Sequence, residues 1–247
     1  MTAISHRSCV LVCYYECMLE IRRDIDTVVS ETSELMRRVY EELHQKKINP
    51  ENDHQRGTSL IAFLLGFEYF ITSRDALTKG MVIGGGMGVR TGLENIIDIL
   101  YIYSNPGKYT EPYISSMNKF NQVMYQSAGK DFSEVMKSRD LKQANKWTNS
   151  SIEDRLAACG ESLTTAYDML SYFGHPNPGA LNWVLNAERK DGQLNLLKQT
   201  NCMNALVLMT IVQNFTDGNK VSFTEINQVA QKIGFTFEFD DEGKLNL

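Results

Sequence analysis

The chain has 247 residues, 43% of them hydrophobic, 22% charged and 10% aromatic, with 17 glycines and 5 prolines. That composition supplies apolar material for a sizeable core and excludes a chain dominated by disorder, linkers or collagen-like repeats. The formal net charge is −5, and lysine and arginine never concentrate beyond pairs such as Arg22-Arg23, Arg37-Arg38 and Lys46-Lys47. This argues against wrapping duplex nucleic acid, where neutralised phosphates supply most of the affinity.

At the amino terminus Arg7 precedes a modest apolar run, Cys9 to Tyr15, and Glu16 and Glu20 follow where a secretory leader would place a small-residue cleavage site. The segment reads as the first helix of a cytoplasmic protein. Apolar residues from Val10 through Leu43 recur at three- and four-residue steps, which predicts one long or once-broken amphipathic helix over residues 5–45. Cys9, Cys13 and Cys17 share one face of it, with neighbouring Cβ atoms about 6 Å apart. Zinc usually takes four ligands and favours close C-x-x-C knuckles, and the nearest extra ligand, His6, only extends the stripe, so the three are read as reduced thiols and no metal is expected. Cys159 and Cys202 lie far away with no partner motif. Leu11, Val12 and Tyr15 spread apolar surface round the rest of the helix. Such a surplus predicts a homo-oligomer formed through the amino-terminal helix.

Asn49-Pro50-Glu51-Asn52 stops this helix, and the next runs over Thr58–Lys79. It is apolar nearly all round from Leu60 to Ile71 and is expected at the centre of the bundle. Gly66 and Glu68 interrupt the longest apolar run, Leu60–Thr72, which falls short of the roughly 20 residues a membrane helix needs. Gly80–Gly88 reads as an interruption or a weak helical stretch. A helix over Val89–Tyr103 follows, ended by Asn105-Pro106-Gly107, then helices at Glu111–Ala128, Phe132–Lys146 and Ser151–Phe173. Asp154, three residues after Ser151, is placed to close a reciprocal cap. Gly174–Gly179 is a loop, and helices resume over Gln193–Phe215 and Thr224–Ile233. Phe235-Thr236-Phe237-Glu238-Phe239 alternates with period two and, with Lys244–Leu247 beyond a polar turn, predicts a small β-hairpin. With no strand–helix alternation and no internal repeat, the fold class is mainly α: a multi-helix bundle over residues 1–234 with a hairpin tail at 235–247.

Glycines 84, 85, 86 and 88 could cradle a phosphate before a helix. A G-x-G-x-x-G match fails at Val89 and at Thr91, and no Lys-Ser/Thr pair follows. A helix junction or close helix approach is favoured, with an anion pocket using Arg90 as the alternative. Two E-x-x-H strings, Glu41–His44 and Glu51–His54, flank Pro50 in a polar stretch and cannot face each other across a dry core, which argues against a di-iron centre. Arg90, Glu94 and Asp98 stand at i, i+4 and i+8 in an otherwise apolar helix, so they must lie on a wet face or be paired. Tyr167, Ser171 and His175 are likewise four apart, and the histidine falls near the negative pole of a helix end.

Arg90-x-x-x-Glu94, followed by Tyr167-x-x-x-Ser171-x-x-x-His175-Pro176, resembles a family of uncharacterised, mostly bacterial all-helical proteins classed as a domain of unknown function, over about residues 60–178. The resemblance implies a helical fold with a shared polar centre and no known activity. The R-x-x-x-x-H signature of the HEPN ribonucleases is absent, since Leu170 stands five residues before His175. The residues themselves leave two functions open. One is a bacterial or phage binding or regulatory protein, of a kind used in defence or stress response. It would take a small anionic ligand or a protein partner where Arg90, Glu94, Tyr167, Ser171 and His175 converge, without a cofactor. The same groups could equally be a polar network that fixes helix register. The other function is a metal-independent ribonuclease. His175 would be its general acid or base, Glu94 the opposing titratable group, Arg90 the stabiliser of phosphorane charge, and Tyr167 or Ser171 the positioning group.

Overall fold

The protein's computed structural model describes residues 24–45, 54–104, 107–108, 111–116, 146–147, 150–159, 161–174, 187–213 and 221–237. These residues are mainly helical, and no strand occurs among them. In chain order the helices are α1 (Ile25–Gln45), α2 (His54–Thr78), α3 (Val82–Ser104), α4 (Ile152–Cys159), α5 (Glu161–Gly174), α6 (Ala187–Gln213) and α7 (Phe223–Lys232), with a short helical segment at 111–116. Among the described residues no helix is long and apolar enough to cross a membrane. The amino-terminal face with Cys9, Cys13 and Cys17 lies outside the described residues, as do 117–145, the loop bearing His175, and most of the expected hairpin.

Helix α1 buries Ile25, Val28, Leu35, Met36, Val39 and Leu43 along one stripe, as its periodicity requires. Its outer face is held by Arg37, paired with Glu34 and Glu41. Helix α2 ends in a Schellman turn: Gly80 takes φ 72°, its N–H bonds the Leu77 carbonyl at 3.0 Å, and Met81 N–H bonds the Ala76 carbonyl at 2.9 Å. A β-carbon is strained at that φ, so glycine stands there. Gly234 ends α7 in the same way, at φ 79°.

Helix α3 begins at Val82, seven residues before the expected start at Val89. Glycine disfavours a helix by about 1 kcal/mol per residue, which is why the sequence reads as an interruption. The packing supplies the reason for those glycines. A Cβ on Gly85 would lie 2.4 Å from Leu77 of α2, one on Gly88 2.2 Å from Ser73 Oγ, and one on Gly86 2.5 Å from the Phe173 ring of α5. Close helix approach is therefore the correct reading of the glycine run, and tertiary contact overrides local propensity. The helix expected over Ser151–Phe173 is two helices, α4 and α5, with Gly160 between them in sequence. The cap at its start is as expected: Asp154 N–H donates to Ser151 Oγ at 3.1 Å, and Ser151 N–H donates to Asp154 Oδ2 at 3.1 Å.

Helix α3 packs against α2, α6, α5 and α4, and α6 against α3, α2, α1 and α7. The most enclosed stretch is 199–213 of α6, where every residue is buried, whereas α2, expected at the centre, leaves Glu68 and Thr72 exposed. Polar residues disguise α6 in the sequence. Asn201 Nδ2 donates to the Phe70 carbonyl at 3.0 Å, Asn204 Nδ2 to the Val89 carbonyl at 2.9 Å, and Thr200 and Thr210 bond carbonyls of their own helix. Each group is satisfied by backbone, so burial costs little.

Helix α7 starts with a capping box between Ser222 and Glu225, and Glu225 also takes Arg38 of α1 at 2.8 Å. Residues 235–237, assigned to the hairpin, carry no strand. Phe235 and Phe237 instead bury their rings edge to face, 4.7 Å between centroids, and Phe237 N–H donates to Asn227 Oδ1 of α7 at 3.0 Å.

Candidate functional site

On α3, Arg90 and Glu94 stand one turn apart and point at the seam with α5. Glycine at 86 lets Phe173 of α5 come close, and this brings Tyr167, on the same helix, within reach of both. Arg90 Nη2 donates to Tyr167 Oη at 2.7 Å and stands 3.1 Å from Glu94 Oε1, while Tyr167 Oη donates to the same carboxylate oxygen at 3.2 Å. The Arg90 side chain is 17% exposed and that of Glu94 34%. This places the triad at the rim of the core, where a charge-assisted contact keeps part of its strength.

The guanidinium is not fully used. Among the described residues its bonds run through Nη2, and Nε is buried without a partner. Ser171 does not join the triad: its Oγ donates to the Tyr167 carbonyl one turn back, at 2.8 Å. His175 lies outside the described residues.

Asp98 turns away from Arg90 to pair with Arg155 of α4. Arg155 also donates through Nε to the Ser151 carbonyl at 3.3 Å, and its guanidinium carbon lies 5.3 Å from the centroid of the Trp147 ring. Trp147 meets Tyr113 edge-on at 4.9 Å and Tyr101 at 6.0 Å. Burial pushes the Asp98 carboxyl up to about 6, against the pull of Arg155 and with a smaller push from the Glu94 charge. Tyr113 is pushed well above the ordinary phenol range, by burial first and then by Asp98 and Tyr69.

The spacing of Arg90, Glu94 and Asp98 in an apolar helix signalled that each must lie on a wet face or be paired. Which partner Asp98 takes was not readable, because Arg155 is 57 residues away in the chain. Trp147 and Tyr113 gave no signal of their own.

Helix α3 is already formed through the glycines at 84–88, and Gly85 N–H bonds the Met81 carbonyl at 2.9 Å. An anion loop at the start of a helix beginning at Val89 is thereby excluded. Of the E-x-x-H strings, the first closes α1 and His54 opens α2. Among the described residues no three His, Cys, Asp or Glu side chains gather where they could hold a metal ion.

No protein-family model, no curated protein and no solved structure matches the chain. The likeness to an uncharacterised helical family rests on its motif residues alone.

Proposed function

We propose that this chain is a helical binding protein, of bacterial or phage type, that receives an anionic group of a small ligand or a protein partner at Arg90. The observation that carries this reading is a guanidinium at the rim of the core, 17% exposed, whose Nη2 is held by Tyr167 and Glu94 while its buried Nε has no partner. The arginine is oriented before anything binds, which removes part of the ordering cost of recognition. Glu94 offsets the arginine's charge, so affinity for a bare anion is modest.

Thermal unfolding with inorganic phosphate or oxalate as probe tests the reading. Wild type should gain stability in proportion to the logarithm of probe concentration, by about 2.7 kcal/mol at a hundredfold excess over Kd, and Arg90→Gln should gain none. Equal protection of both proteins, or none of either, would sink it.

The ribonuclease alternative relies on Tyr167 or Ser171 to position substrate, and both hydroxyls are already engaged, one with Glu94 and the other with its own helix backbone. The binding reading uses Tyr167 only to orient Arg90, as it already does, and does not need Ser171. Defence or stress response is the biological setting proposed, in the cytoplasm, with self-association through the amino-terminal helix. Val10→Glu should then lower the mass seen by light scattering while helical circular dichroism survives.

A further inference from the structure

Helix α4 is short and lightly anchored. Among its described side chains Leu156 alone is fully buried and Ile152 partly so, and of the helices above it packs only on α3 and α5. Helix α7, of similar length, buries Ile226, Val229 and Ala230. The 8 residues of α4 are too few to hold a helix in water by themselves, so another fastening matters. That fastening is Arg155. Its Nη1 pairs with Asp98 of α3, its Nε and Nη2 donate to the Ser151 and Ser150 carbonyls at 3.3 and 3.4 Å, and its guanidinium carbon sits 5.3 Å from the centroid of the Trp147 ring. Trp147 is tied in turn to Ser150, whose N–H and Oγ both donate to the Trp147 carbonyl, at 3.1 and 2.6 Å. The Trp147 ring belongs with Tyr101, Ile102 and Tyr113 to an apolar cluster separate from the main core.

We propose that Trp147, Ser150, Ser151 and α4 form a strap that lifts off α3 as one unit while the core stays folded, and that a proton on Asp98 holds the strap down. Arg155 ties the members of the strap to one another, and what the strap loses on lifting is one ion pair, one fully buried aliphatic side chain and one edge of an aromatic cluster. Segments with so few buried contacts open at far lower cost than the core. The sign of the proton's effect follows from what surrounds Asp98. With the strap down its side chain is 20% exposed, and Arg155 of α4 is the cation that meets it. Glu94, one turn back on α3, adds a like charge, itself held by Arg90 and by Tyr167 of α5. Tyr113 faces Asp98 from the segment at 111–116, with Tyr69 of α2 beyond it. Glu153 and Asp154 of α4 are exposed, and α6 brings no ionisable group along 199–213 except Cys202, set against Thr32 of α1. Burial outweighs the single guanidinium, and the carboxyl is pushed up to about 6 from 3.8. A lifted strap returns Asp98 to water and to its ordinary range. The closed state therefore holds the proton more tightly, closure is firmest below about 4, and it weakens as pH rises through about 6. Neither step involves an anion at Arg90, so the strap stands or falls apart from that reading.

Hydrogen exchange of the full chain tests this, read by mass spectrometry on peptides spanning 150–159 and 199–213 and corrected for the intrinsic rate at each pH. At about pH 7 the amides of α4 should open at least about tenfold more often than those of 199–213. Their opening should rise about fiftyfold between about pH 4 and pH 7. Asp98→Asn should abolish that rise, and Arg155→Gln should raise opening at the acid end as well. A second readout is acrylamide quenching of Trp147 in a Trp183→Phe background, which leaves one tryptophan. Quenching should increase over the same range. Protection of 150–159 equal to that of 199–213 overturns the strap. A rise that persists in Asp98→Asn, or opening that falls as pH rises, overturns the role of the proton. If Asp98→Asn loses helical circular dichroism, the Trp147 quenching of the otherwise unaltered chain decides, and a flat profile across the range overturns the proposal.

Discussion

Toward α2 and α6, helix α3 presents glycines and Asn95, and the amides along that seam are dry and bonded to backbone: Asn95 Nδ2 to the Ala62 carbonyl at 2.7 Å, Asn201 to Phe70 and Asn204 to Val89; Ser73 Oγ, buried against Gly88, has no partner. Toward α5 and α4 the same helix presents Arg90, Glu94 and Asp98, all of them ionisable and all partly reached by solvent. Neutral amides can be buried completely because a neighbouring helix offers carbonyl oxygens everywhere along its length. Charges cannot, since each needs a specific counter-charge and keeps some contact with water to limit its desolvation. The dry seam therefore sets helix register, and the wet one keeps groups available for chemistry.

The largest effect should come from bringing charge into the dry seam. In Asn204→Asp a carboxylate oxygen replaces the amide donor that faces the Val89 carbonyl, and urea unfolding should show a loss of about 3–5 kcal/mol, the cost of an uncompensated buried charge. A loss under about 1 kcal/mol would mean that water reaches the seam and that the contrast with the other face is false.

Next comes the pH response of the wet face. Asp98 titrates near 6 in the folded protein and near 3.8 when unfolded, so the folded state holds its proton more tightly. Stability should fall as pH rises from about 4 to about 6, by roughly 2–3 kcal/mol, and level off above that window. Glu153 in the first turn of α4 and the capping Glu225 are held below their usual range, so their contribution is present above about 4.5 and is lost only on further acidification. Comparing wild type with Asp98→Asn isolates the aspartate, and an unchanged slope between pH 4 and pH 6 would show that its charge is not buried as the structure places it.

A smaller effect, of opposite sign at two nearby positions, tests why the glycines are there. Gly86→Ala pushes a Cβ into the Phe173 ring and should destabilise by about 1–3 kcal/mol, less the gain in helix propensity. Gly84→Ala meets only the Met81 methyl at 3.8 Å and should stabilise by up to about 1 kcal/mol. Stabilisation at both would mean that α3 and α5 are not in close contact. The smallest effect belongs to the rim triad. Glu94→Gln should cost about 0.5–1 kcal/mol, and its double-mutant cycle with Tyr167→Phe should show coupling of at least about 0.5 kcal/mol. Strict additivity would dissolve the triad.

Legibility in the sequence followed how local each signal was. The caps at Ser151 and Ser222, the stop at Gly80 and the stripe of α1 depend on neighbours within a turn or two, and the expectations drawn for the described part of the first helix, for Ser151–Asp154 and for the end of the second helix near Lys79 match the structure. The meeting of Arg90, Glu94 and Tyr167 was also expected, because four-residue spacing put charged and polar groups on single helix faces. Ser171 shared that spacing and did not join them, since a serine inside a helix has a nearer acceptor in the carbonyl four residues back. The start of α3 was misplaced because glycine lowers helix propensity whatever its reason for being present, and Phe173, Leu77 and Ser73, which account for those glycines, are not its sequence neighbours.

From its own residues the chain determined a mainly helical bundle, the ends of several helices and a polar centre on α3, because hydrophobic period, capping chemistry and positive-φ glycines act over a few residues. Tertiary structure alone decided that α6 is the most enclosed helix and that Arg155 and Trp147 complete the surroundings of Asp98. It also decided that Arg90 holds both Tyr167 and Glu94 through one nitrogen. Burial, desolvation and hydrogen-bond satisfaction depend on which distant carbonyl, ring or counter-charge arrives in space, and spacing along the chain does not encode that.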